Sequence, residues 1–171
     1  SIPAICLAFE KADNDVMEDL PSNKSNKSFF TPLLTSKIAI GAIFKSIVMF
    51  TLFIYFSKTS DINTASSLLF IFLVGHELLY SFSCRNIKKS VLNKNIFSNI
   101  RLTIGVFSLT LIQIIILTTG LSKYFIVGNL NIQNISITII VLFITFIIGE
   151  LVKPIYNKLF KDYTKGNNYE K

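Results

Sequence analysis

Four apolar runs, each long enough to cross a lipid bilayer, leave this sequence few folds to choose from. They are Ile38 to Phe56 (IAIGAIFKSIVMFTLFIYF), Ala65 to Cys84, Leu102 to Thr118 and Ile135 to Val152. A hydrocarbon core of about 30 Å needs roughly 20 residues of helix at about 1.5 Å each, and helix satisfies its own backbone polar groups where water is absent. The β-branched content would favour strands in water. In lipid, length and the lack of turn residues inside the runs decide for helix. Charge bounds the runs: Lys37 and Lys58 flank the first, Arg85 stops the second, and Lys153-Pro154 stops the fourth. A fifth apolar segment, Ile2 to Phe9, is far too short to cross, and is either a surface-lying turn or the stump of a helix whose main part lies upstream. The expected fold class is an all-α membrane protein with four transmembrane helices plus the end of a fifth.

Composition agrees and removes several function classes. The 171 residues are 51% hydrophobic and 16% charged, against about 45–50% and about 25% in a soluble domain. A net charge of +7 could suggest nucleic acid, but a nucleic-acid binder clusters its basic residues on a polar face. Here they sit between apolar runs, so no nucleic-acid partner is expected; the partner is a lipid bilayer. Cys6 and Cys84 cannot make a disulfide framework, and no Cys/His spacing resembles a zinc site. There is no glycine-rich phosphate loop and no Ser/His/Asp or Cys/His arrangement, so no catalytic or cofactor-binding residue is assigned. The chain opens on Ser1 without a signal-peptide pattern, and is expected to be a piece of something longer.

Four crossings put both ends on one side, and counting lysine and arginine says which. Lys11, Lys24, Lys27 and Lys37 precede the first helix; Arg85, Lys88, Lys89, Lys94 and Arg101 separate the second from the third; Lys153, Lys158, Lys161, Lys165 and Lys171 follow the fourth. The opposite loops hold only Lys58 and Lys123, and Lys45 lies inside a helix. Both termini are therefore expected in the cytoplasm. The expected organisation is residues 1–9 as the cytoplasmic end of a truncated helix, 10–37 as a cytoplasmic loop, 38–152 as the transmembrane domain and 153–171 as a cytoplasmic tail. The Ser/Asn/Lys run within the loop (SNKSNKS) has too little apolar surface to fold alone.

Glu77 is the candidate site residue. It lies roughly 18 Å from Ala65 and roughly 12 Å from Arg85 along a helix, near mid-membrane. A carboxylate there costs on the order of 2.5–3.5 kcal/mol, so it should face a cation, a bundle interior or another polar side chain. A transported-cation ligand and a structural pair to a neighbouring helix both answer that need. Tyr80 and Ser81 share its face, and Ser83 and Cys84 continue a polar strip. His76 points about 100° away and is expected to pack rather than relay protons. Lys45, about 12 Å in from the boundary, is expected to snorkel to the headgroups. Glu150 with Lys153 is expected to be an exposed interfacial pair, and Arg85, Lys88 and Lys89 to anchor headgroups.

Several segments carry a more specific signal. Ser1 to Met17 (SIPAICLAFEKADNDVM) resembles the segment leaving the sixth membrane helix of cation-transporting P-type ATPases, in particular the calcium-pump branch, where the pattern is close to L-P-A-x-x-L-G-F-E-x-x-D-x-D-I-M. Pro3, Ala4, Leu7, Phe9, Glu10, Asp13, Asp15 and Met17 match, with Ala8 in place of glycine. Thr31 to Thr35 (TPLLT) is similar to the E-P-L-L-T leading into the seventh helix. His76 to Leu92 resembles the eighth helix and its exit, F-E-L-F-x-A-x-N-x-R-S-x-x-x-S-L, with His76, Tyr80 and Ser83 as departures. Asn95 to Ile100 and Gly149 to Lys153 are similar to the ninth-helix lead-in and the tenth-helix end.

The resemblance covers essentially the whole chain and implies the end of helix six followed by helices seven to ten. It implies that Glu77 is a ligand of the transported cation, calcium, and that Asp13 and Asp15 lie in a loop near the phosphorylation domain, where capping and turn formation are equally good readings. It implies as partners the remaining membrane helices and cytoplasmic domains of a pump. The D-K-T-G-T phosphorylation loop is not in this sequence, so ATP and Mg2+ would bind other domains and the chain is expected to have no enzyme activity on its own. A bacterial plasma membrane is expected from the Ile/Asn/Lys-rich composition. The competing reading is a stand-alone four-helix membrane protein, either a split pump remnant or an assembly partner.

Overall fold

A computed structural model describes residues 2–10, 32–85, 91, 96–119 and 127–159. It contains a short helix α1 (Ile2–Leu7) and four long ones: α2 (Pro32–Thr59), α3 (Ile62–Ser83), α4 (Ile100–Thr118) and α5 (Ile132–Leu159). All four long helices are long and apolar enough to cross a membrane. Their starts follow local chemistry. Pro32, at the head of α2, has the fixed φ that suits a first helical turn. Asp61 caps α3 by accepting from the Thr64 amide at 3.3 Å and the Thr64 hydroxyl at 2.5 Å, and Asn99 caps α4 by accepting from the Leu102 amide at 3.0 Å; each satisfies an otherwise orphaned donor. The helices overrun the apolar runs: α2 begins at Pro32 rather than Ile38, and α5 continues through Pro154 to Leu159. Polar helix ends cost nothing once they reach the headgroup region.

Ser60 and Asp61 alone separate α2 from α3, which forces the two into an antiparallel hairpin. α3 is the central element. Its first half buries Ala65, Leu68 and Phe72 against Leu52 and Phe56 of α2 and Leu142 of α5. Its second half turns to other neighbours, burying Leu78 and Phe82 with Val91 and with Leu102 and Val106 of α4, and with Cys6 and Leu7 of α1 alongside. Gly75 sits at the changeover, where a Cβ would meet Leu142 Cδ1 at 2.5 Å. Small residues at such crossings let backbones approach, the main source of packing energy between helices in lipid. Two buried hydroxyls of α5 are satisfied within the helix: Thr138 donates to the Asn134 carbonyl at 2.9 Å and Thr145 to the Val141 carbonyl at 2.7 Å.

The alternation of helix directions brings Lys37, Arg85, Arg101 and Lys153 to one end of the bundle, opposite Lys58. At this basic end α2 holds no core residue; Ile38, Ile40, Ile43 and Ile47 are all exposed. The buried core residues of α2, Leu52 and Phe56, lie in the half near the Ser60-Asp61 turn. The other half opens a cavity.

Candidate functional site

The cavity has a volume of about 670 Å3 and lies between α2, α3 and α5. Its walls are mostly aliphatic, and its polar groups come from Lys37 and Lys45 of α2, from His76, Glu77, Tyr80 and Ser83 of α3 with Cys84 beyond it, and from Thr145 and Lys153 of α5. Glu77 opens into it with a side chain 61% exposed. Along α3 it lies roughly 9 Å from Ser83 and roughly 22 Å from Ile62, nearer the basic end of that helix. Among the described residues its single polar partner is Lys45, whose ammonium donates to Glu77 Oε1. Lys45 therefore does not snorkel to the headgroups; with a side chain 19% exposed, it turns inward, because a carboxylate across the hairpin is a better partner than the distant interface.

His76 lines the same cavity as Glu77, and packs as expected. Residues four apart on a helix stack one above another, and its ring lies between Phe72, at a centroid distance of 5.9 Å, and Tyr80, at 6.1 Å. Its Nδ1 is buried without a hydrogen-bond partner among the described residues. The polar strip is shorter than the spacing suggests. Ser81 is buried and gives its hydroxyl to the Leu78 carbonyl at 2.6 Å, so it does not reach the cavity. No group of three or more His, Cys, Asp or Glu that could hold a metal ion occurs among the described residues.

Two networks close the basic end, and both correct the surface roles expected of their members. Glu150 and Lys153 are 1% and 4% exposed; they are buried, not interfacial. They pair at 2.6 Å, Glu150 accepts from the Ser83 hydroxyl and from the Val91 amide at 2.8 Å, and Lys153 donates to the Ser83 carbonyl at 2.8 Å. The end of α3 supplies polar groups that draw the pair inward. Arg85 likewise is no headgroup anchor: its guanidinium clamps Glu10 through Nε at 3.0 Å and Nη2 at 2.6 Å, and donates to the Ile96 carbonyl at 2.7 Å and the Ser98 hydroxyl at 2.6 Å. Asn99 Nδ2 reaches the same carboxylate at 2.6 Å, and Arg101 stacks over the Phe9 ring at 4.3 Å. Lys88, Lys89, Asp13 and Asp15 lie outside the described residues.

Glu10, Arg85 and Asn99 come from three segments far apart in sequence, each of which resembled a P-type pump motif, and one network joins them. A family model described as "Cation transporting ATPase, C-terminus" matches residues 1–155. This chain belongs to that family. Comparison with curated proteins gives no match. The cation-ATPase C-terminal region is a multi-pass membrane domain, which agrees with the four spanning helices, and its setting is a lipid bilayer and a larger pump. Within it the sequence reading missed the Lys45–Glu77 pair, the Arg85 clamp on Glu10, and the burial of Glu150 and Lys153 against Ser83 and Val91. Lys45 had a usable signal, since it and Glu77 stand equally far from the Ser60-Asp61 turn. Glu150 had none, because its partners Ser83 and Val91 are remote in sequence.

Proposed function

We propose that this chain is the C-terminal part of the ion-transport domain of a P-type calcium pump, and that Glu77 takes part in binding the transported cation. The observation that carries the reading is Glu77 itself, a carboxylate inside a membrane-spanning helix with a largely exposed side chain. Lipid is too costly a cover for it, so other membrane helices of the pump should close over the cavity. Calcium takes six to eight oxygen ligands, and Glu77 supplies at most two, so the remaining ligands come from those helices. ATP hydrolysis falls to domains bearing the phosphorylation loop. The lysine and arginine distribution supports both chain ends on the cytoplasmic side, and the composition a bacterial plasma membrane.

The test uses the intact pump that carries this segment, with phosphorylation from ATP followed as Ca2+ is titrated. Loss of a charged ligand is worth about 1.5–3 kcal/mol, so Glu77→Ala should raise the Ca2+ needed for half-maximal phosphorylation by roughly 10- to 100-fold. Glu77→Gln, which keeps one oxygen, should raise it less. Unchanged Ca2+ dependence in both variants refutes the assignment.

A further inference from the structure

A cation-facing Glu77 leaves a second intramembrane charge to be explained. Lys45 and Glu77 lie 32 residues apart on consecutive helices, and counting from the Ser60-Asp61 turn places each roughly 22–24 Å from it. The hairpin register therefore brings ammonium and carboxylate level, and the ammonium sits on the carboxylate. A cation approaching the same carboxylate meets a like charge at contact distance, where the surrounding low dielectric makes repulsion strong. Lys45 and a transported ion are thus competitors for one group.

The lysine also has somewhere to go. Helical side chains lean towards the N-terminus of their helix, so the Lys45 stem can lie over the residue one turn earlier. That residue is Gly41, where a Cβ would meet nothing within 4 Å. Gly41 and Lys37 line the same cavity, which leaves an open track from Glu77 towards the basic end.

We infer that Lys45 is a tethered cation that occupies Glu77 when the transported ion is absent and withdraws over Gly41 when the ion binds, so that it sets the affinity of the site. This rests on the reading of Glu77 as a cation ligand. The test measures Ca2+-dependent phosphorylation from ATP in the intact pump, with phosphorylation by inorganic phosphate in the absence of Ca2+ as the check that each variant is folded. Lys45→Gln should raise apparent Ca2+ affinity about tenfold, Lys45→Arg should leave it near the unmodified value, and the gain should vanish in Lys45→Gln combined with Glu77→Gln. Gly41→Leu fills the track without touching either charge, and should lower Ca2+ affinity several-fold; it carries the test if Lys45→Gln does not fold. If Glu77→Gln weakens Ca2+ dependence while Lys45→Gln leaves it unchanged or weakens it, the tethered-cation inference falls and the Glu77 assignment stands. If Glu77→Gln changes nothing, both fall.

Discussion

Replacing Glu150 by glutamine tests whether the basic end of the bundle is held by a charge pair or merely by shape. The carboxylate accepts from the Ser83 hydroxyl, the Val91 amide and the Lys153 ammonium. Glutamine keeps the outline and offers one acceptor oxygen. That oxygen must face the Val91 amide, which can only donate, while the Ser83 hydroxyl can rotate to accept from the new NH2 group. Lys153 then keeps the Ser83 carbonyl at 2.8 Å but has lost its counter-charge at a site 4% exposed. Breaking a buried pair from one side costs about 3–5 kcal/mol, whereas replacing both partners by neutral groups of similar volume is often near neutral. Hydrogen bonds between membrane helices, by comparison, average about 0.6 kcal/mol and reach about 1.7. Glu150→Gln should therefore destabilise by about 3 kcal/mol, Lys153→Met by a similar amount, and the double variant by less than either alone. SDS titration in mixed micelles, followed by circular dichroism, gives the four free energies of the cycle. If the double variant loses the sum of the two single losses, the charges do not interact and the reasoning is wrong.

Two further expectations concern the ends of the bundle. Arg85→Ala removes the clamp on Glu10 and should release α1 from α4, so in a Cys84→Ser background maleimide labelling of the half-buried Cys6 should accelerate several-fold; an unchanged rate would show that apolar contact alone holds α1. At the other end, the Thr64 hydroxyl bound to Asp61 holds that carboxyl below the usual carboxylate range. The stability this gives is present above the unfolded value and lost as pH falls through the lower folded one, so the thermal-stability gap between the unmodified protein and Asp61→Ala should narrow below about pH 4. A gap that stays constant with pH would contradict the capping argument.

Helix number was legible because backbone satisfaction in lipid leaves only one secondary structure for a run such as Ile38 to Phe56. The family was legible from short polar motifs, and the reason is now physical: Phe9-Glu10, Arg85 and Ile96 to Asn99 carry or adjoin a network that few other side chains could reproduce. The fate of individual charges was harder to read. Depth along a helix suggested that Lys45 would snorkel and that Glu150 and Lys153 would meet water, but depth says nothing about what stands opposite. Ser83 illustrates the limit, since its hydroxyl and its carbonyl both serve residues of α5 about 70 positions away. The cavity was equally hidden, for it arises where α2 buries no core residue, and the apolar run that forms α2 looks the same along both its halves.

The two-residue link between α2 and α3 also bears on how the protein is made. A lysine or a glutamate entering the bilayer alone costs on the order of 2.5–3.5 kcal/mol. With only Ser60 and Asp61 between the helices, Glu77 follows Lys45 out of the ribosome by 32 residues and reaches the same depth before α4 has followed it out. The Lys45 and Glu77 charges offset one another only in the hairpin, and insertion of the lysine-bearing helix is best completed when its successor arrives.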